Sequence, residues 1–154
     1  MDLRKLNIAP DNDLTHEAFM VRLPSSGDLD ALVMKFNGVC GHGSGGNGDA
    51  AYMTAVTVAA ISFAEPFALI FDFSELEYVW GDMMANVLSV GEDRWENHEM
   101  PMAIVVSDRC EPALRSLLLK EMGIKDLSLI VRSLSEALTY VDNKNTFAKR
   151  TNAV

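Results

Sequence analysis

The sequence predicts a single α/β domain, a mixed and mostly parallel sheet of about five strands with about four helices packed on it, in the order β-β-α-β-α-β-α-β-α. Three observations carry this. Phe67-Ala-Leu-Ile-Phe-Asp-Phe73 is a nearly unbroken apolar run between Pro66 and Ser74, too short for a membrane span and suited to a strand covered on both faces. From residue 49 onward, apolar residues at helical spacing alternate with short strand-like runs. Finally, 154 residues with 49% hydrophobic and 23% charged side chains suffice for one domain with its own core.

Taken in order, residues 1–16 are polar and irregular around Pro10 and Asp11-Asn-Asp13, and read as a lead-in. Glu17–Leu23 and Leu29–Asn37 are strand-like and flank Pro24-Ser-Ser-Gly27, which makes them an antiparallel hairpin. Asp49–Glu65 is the clearest helix, with Asp49 as N-cap and Tyr52, Val56, Ala59, Ala60 and Phe63 predicted on the buried face. Pro66 closes it, and the strand Phe67–Phe73 follows. Asp82 can cap a helix reaching about Val90, with Met83, Met84, Val87 and Leu88 inward. Gly91–Glu99 is a polar loop, and Met102–Val106 a strand. A helix opens at Ser107 or Asp108, tolerates Pro112 in its first turn and stops at Gly123. Leu127–Val131 is a further strand, and the capping box Ser133-Leu-Ser-Glu136 starts a last helix. The domain spans 17–143, and 144–154 is a polar tail.

The net charge of −9 is concentrated. Nine acidic residues lie between Glu65 and Glu99 against one basic residue, Arg94, so that window holds nearly all of the excess. Such a field repels nucleic acid and anionic membrane and attracts a basic protein surface. No signal-peptide pattern opens the chain and no apolar run is long enough to span a bilayer, so the expected location is the cytoplasm. Cys40 and Cys110 have no framework spacing and read as free thiols.

Between the hairpin and the first helix, Asn37–Asp49 holds six of the ten glycines and is expected to be a loop. Its Gly41-x-Gly43-x-x-Gly46 matches a dinucleotide fingerprint in form, but no ribose-binding acid lies at the right distance, and Asp49 sets an anion on the helix N-terminus where a pyrophosphate would sit. Cys40-x-His42 lacks a second pair to complete a metal site. His98, beside Glu96 and Glu99, has no nucleophile near it in sequence. No catalytic, cofactor or metal residue is therefore assigned.

Asp72-Phe-Ser-Glu-Leu-Glu-Tyr-Val79, after Leu69-Ile-Phe71 and before a helix, resembles the hallmark of STAS domains, the family of anti-sigma-factor antagonists and sulfate-transporter C-terminal domains. The resemblance implies the same element order over roughly residues 19–142. In that family a strand ending Asp-Leu-Ser leads to Asp-Ser-x-Gly at a helix start. Here the motif's second Asp falls on Trp80, its phosphorylatable Ser on Gly81 and its Gly on Met83. Gly81 has no hydroxyl, so the resemblance extends to the fold and excludes the phosphorylation switch at that position.

What remains at this strand-to-helix corner is acid and aromatic. Glu75, Glu77, Tyr78, Trp80, Asp82, Glu92, Asp93, Trp95 and Glu96 are the expected partner-binding residues, since aromatics with polar ends make interface hot spots and an acidic surround speeds encounter with a basic protein. The leading expectation is a non-catalytic immunity-type protein that neutralises a toxin such as a nuclease. Two alternatives stand beside it: a STAS-like regulator of an anti-sigma factor or kinase without the phospho-switch, and a small-ligand or acyl-CoA-binding enzyme using the glycine loop.

Overall fold

The computed structural model describes residues 1–92 and 100–152. Two strands, β1 (Thr15–Arg22) and β2 (Asp30–Val39), form the expected antiparallel hairpin. Its turn is held locally: Leu23 N–H donates to the Leu29 carbonyl at 2.9 Å, and Ser26 Oγ accepts from Leu29 N–H at 3.0 Å. A 3-10 turn at Gly43–Gly46 leads into α1 (Asn47–Ala64) and then β3 (Ala68–Glu77). Next come α2 (Met84–Leu88), β4 (Met102–Val105) and α3 (Glu111–Ser116), the last loosening into a π-helical turn at Leu117–Glu121. β5 (Ile130–Val131) and α4 (Leu134–Asn152) complete the chain.

The sheet runs β1-β2-β3-β4-β5, with β2 to β5 mutually parallel. Right-handed crossovers in an unreversed strand order place α1, α2 and α3 on one face. Leu32, Met34, Phe71 and Ile104 point to that face and meet Met53, Ile61, Met84 and Leu118. The opposite face is lined by smaller residues, among them Ala31, Ala68 and Ala103, and is covered by α4 through Ala137 and Val141. Small side chains there allow the helix to lie close on the sheet.

The structure departs from the sequence expectation in several places. β3 continues four residues past Phe73, because β2 is ten residues long and goes on pairing with it after a bulge between Lys35 and Asn37. α2 is shorter than expected and starts after Met83 without a side-chain cap, so Asp82 does not serve as one. The tail from Asn143 continues α4 to Asn152. The buried face of α1 is Ala50, Met53, Thr57 and Ile61, with Tyr52, Val56 and Ala60 at its margin, whereas Phe63 is 95% exposed. An alanine-rich helix that is apolar on every side has no clear periodicity from which to choose a face.

Asp49 also departs from its expected role. It lies inside the first turn of α1, is fully buried, and its carboxylate accepts from Asn12 N–H at 2.9 Å, Asn12 Nδ2 at 2.6 Å and Gly41 N–H at 2.8 Å. One side chain thereby ties lead-in, glycine loop and helix together. Asp49→Ala leaves three donors without their acceptor. It is expected to lower stability by about 2–4 kcal/mol, read as a reduced midpoint in urea unfolding followed by far-UV circular dichroism.

Candidate partner-docking corner

The expected corner lies at the C-terminal end of β3, where the strand leaves the sheet between two neighbouring loops. On one side, Cys40 N–H donates to the Glu77 carbonyl at 2.9 Å and Gly43 N–H to the Trp80 carbonyl at 3.1 Å. On the other, Tyr78 N–H donates to the Arg109 carbonyl at 3.2 Å. The ends of β2, β3 and β4 are thus stitched together by backbone bonds, which hold the corner without regular sheet.

Tyr78 and Trp80 take opposite roles. Tyr78 is 3% exposed and joins the core on the helix side of the sheet, its hydroxyl donating to the Gly81 carbonyl at 2.8 Å. This corrects its expected place on a contact surface: a side chain two residues beyond an inward Leu76 again points inward. Trp80 is 60% exposed. Its indole lies on Gly43, which has φ +53° and where an added Cβ would fall 2.2 Å from the ring. The glycine is required twice, for the left-handed backbone and for the close approach of the ring.

The acidic residues divide by position. Glu75 is exposed, with Arg109 Nη2 at 3.5 Å, a surface pair of small energetic weight. Glu77 is half-buried, and Asp82, two residues beyond Trp80 in the chain, is exposed. Glu92 is exposed but belongs elsewhere. It lines a cleft of about 800 Å³ with Pro66, Phe67, Pro101 and Met102, at the ends where β3 and β4 begin, so proximity in sequence does not bring it to the corner. Asp93, Trp95 and Glu96 lie outside the described residues, as does His98.

The glycine loop is a turn packed on its own chain. A Cβ on Gly41 would meet the Gly45 carbonyl at 2.1 Å, and one on Gly46 the Gly41 carbonyl at 2.2 Å. Glycines of the apparent dinucleotide fingerprint are thus occupied by internal contacts. Cys40 is buried and its thiol is pushed up to about 11, first by burial and then by Asp49, which disfavours the thiolate a nucleophile needs. His42 is exposed. Among the described residues no group of three or more His, Cys, Asp or Glu could hold a metal ion.

Gly43 and Arg109 were absent from the sequence-based site. The glycine cluster signalled that some close approach was needed there, but nothing in the sequence named Trp80 as the group that approaches.

Gly81 has φ +150°. There is room for a Cβ, its nearest neighbour being the Gly43 carbonyl at 3.5 Å, so the objection to a side chain is the backbone and not the space. Position 81 thus lacks the hydroxyl and also holds a conformation that a serine rarely adopts. Gly81→Ser is expected to cost about 1–3 kcal/mol in urea unfolding through this strain.

No protein-family model and no curated protein matches the chain. A solved structure does, that of an anti-sigma factor antagonist from Mycobacterium paratuberculosis. It is 20% identical, with a TM-score of 0.59 over 86% of this chain and 97% of that one. The fold is STAS-like. Among the described residues no helix is long and apolar enough to cross a membrane.

Burial raises the Tyr78 phenol to about 12, with lesser contributions from Cys40 and Asp82. A raised folded-state value means that the unfolded chain ionises first. The stabilisation is complete below the unfolded value near 10 and is lost as pH rises through about 12. Cys40 acts in the same sense from about 9 to about 11. Stability measured by urea unfolding across this alkaline range is expected to fall, and Tyr78→Phe to flatten the part of the fall above the phenol's unfolded value.

Proposed function

We propose that this protein is a non-catalytic, STAS-like regulator that binds a protein partner of the anti-sigma-factor or kinase type at the corner around Trp80, without phosphorylation at residue 81. The observation that carries the reading is the presentation of Trp80, a large aromatic held outward on a glycine floor at a strand end that also exposes Glu75 and Asp82. Interface hot spots are enriched in tryptophan, and a pre-placed ring loses little conformational freedom on binding. The anti-sigma factor antagonist that shares the fold supports a protein partner. The acidic surround favours a partner whose contact surface is basic. The toxin-neutralising reading of the same corner finds no support among the comparisons.

The test is pairwise binding between the full chain and the anti-sigma factors and related kinases encoded in the same genome, measured by calorimetry at two salt concentrations. A complex is expected with one of them, weaker at high salt. Trp80→Ala is expected to raise its dissociation constant at least tenfold, about 1.4 kcal/mol or more. Glu75→Gln with Asp82→Asn is expected to reduce the salt dependence. If neither an anti-sigma factor nor a related kinase binds, or if Trp80→Ala binds as the parent does, the reading fails.

A further inference from the structure

Residues 1–9 leave the domain beside the docking corner, and all nine are exposed. The chain is pinned just after them. Asn12 N–H and Nδ2 donate to the Asp49 carboxylate at 2.9 and 2.6 Å, and Nδ2 also reaches the Gly45 carbonyl at 3.4 Å. A Cβ added to Gly41 would fall 2.8 Å from the same Nδ2. Asn12 therefore borders the glycine loop on both sides of Gly43, the residue on which the Trp80 ring lies. Two residues of backbone and the width of a ring separate this anchor from the indole, a distance of about 15 Å or less.

The composition of the arm complements this end of the molecule. Leu3, Leu6 and Ile8 are 83%, 82% and 61% exposed. Arg4 and Lys5 against Asp2 give residues 1–9 a charge of +1, which leaves −10 for the rest of a chain of net −9. Around the anchor the molecule exposes Asp11, Asp13, Glu75 and Asp82 as well as Trp80, and pairs Arg109 with Glu75. A basic segment with apolar side chains has the chemistry that such a corner receives from a partner. Length favours the corner over the exposed Phe63 at the other end of α1. A flexible segment of six residues, from Asn12 back to Leu6, has a root-mean-square span of about 14 Å, which matches the distance to the indole. Phe63 lies about 21 Å along α1 from Asp49, which takes the same six residues at full stretch.

We propose that residues 1–9 are a strap that folds back onto the corner of the same molecule, with Leu6 and Leu3 on the outward face of Trp80 and Arg4 and Lys5 among the carboxylates, where it competes with the partner. The structure shows the open arrangement, in which Trp80 is 60% exposed. A tether whose span matches its target gives an effective concentration of about millimolar, enough to populate a contact too weak to persist between separate molecules. Such part-time cover lowers the partner's apparent affinity by the fraction of corners left open. The competition rests on the corner being the docking site proposed above. Closure of the strap does not, and it is read without a partner.

In a Trp95→Phe background Trp80 is the sole tryptophan, and acrylamide quenching of its fluorescence reports the cover. Leu3→Ser with Leu6→Ser, which changes no charge, is expected to raise the quenching constant about twofold, the effect of freeing a ring that is covered about half the time. Arg4→Gln with Lys5→Gln, or added salt, is expected to raise it by a smaller factor. In the full chain with both tryptophans, the Trp80 indole N–H resonance, identified by its loss in Trp80→Phe, is expected to shift with the leucine substitutions, so the result does not depend on the Trp95→Phe background. The anti-sigma factor or kinase that the parent binds is expected to bind the leucine variant about twofold more tightly. A quenching constant and an indole resonance that ignore both pairs of substitutions overturn the strap. Protection that grows with protein concentration also overturns it, since the arm of another copy then lies on the ring. Closure without binding of any anti-sigma factor or kinase refutes the docking reading and supports the strap. A partner that binds parent and leucine variant alike, while quenching changes as expected, overturns the competition.

Discussion

The carboxylate of Asp49 is the constraint from which the end of the molecule carrying the proposed docking corner is built. A buried carboxylate is tolerated only when its oxygens are satisfied, and here the donors come from Asn12 and Gly41, two separate stretches of chain. With Gly41 held against the first turn of α1, the glycine loop must fold tightly between the end of β2 and the helix. That tight path places Gly43 under Trp80, and Trp80 is held outward as a result. Side-chain presentation at the corner therefore depends on a hydrogen-bonded anion some way beneath it.

At the same corner the backbone of residue 81 lies in a region suited to glycine, and the neighbouring Tyr78 hydroxyl donates to the Gly81 carbonyl. Hydroxyl and favourable backbone are both missing, so restoring the side chain alone would not restore a strain-free acceptor.

At the proposed docking corner one exposed aromatic, Trp80, shares the end of the strand with exposed acidic residues, an arrangement that would favour rapid, salt-sensitive encounter with a basic protein.

Much of the fold was legible because it depends on local pattern: the hairpin from Pro24-Ser-Ser-Gly27, the buried strand from its apolar run, and the mixed sheet from the alternation of helix and strand. The STAS resemblance was legible from Asp72-Phe-Ser74 and the element order. What stayed hidden depended on distant partners. The extension of β3 required the length of β2, and the burial of Tyr78 beside an exposed Trp80 required the loops after β2 and β4 to close around the strand end. Glu92 left the expected site because α2 carries the chain away from the corner, a displacement that no charge count records. The exposed side of α1 could not be chosen from a sequence apolar all round. By itself the sequence determined the order and type of the elements and where the acid is concentrated, since these follow from periodicity and composition. Only the tertiary structure decided which aromatic faces solvent, which glycine supports it and which apolar face is left uncovered, because each depends on groups far apart in the chain meeting in space.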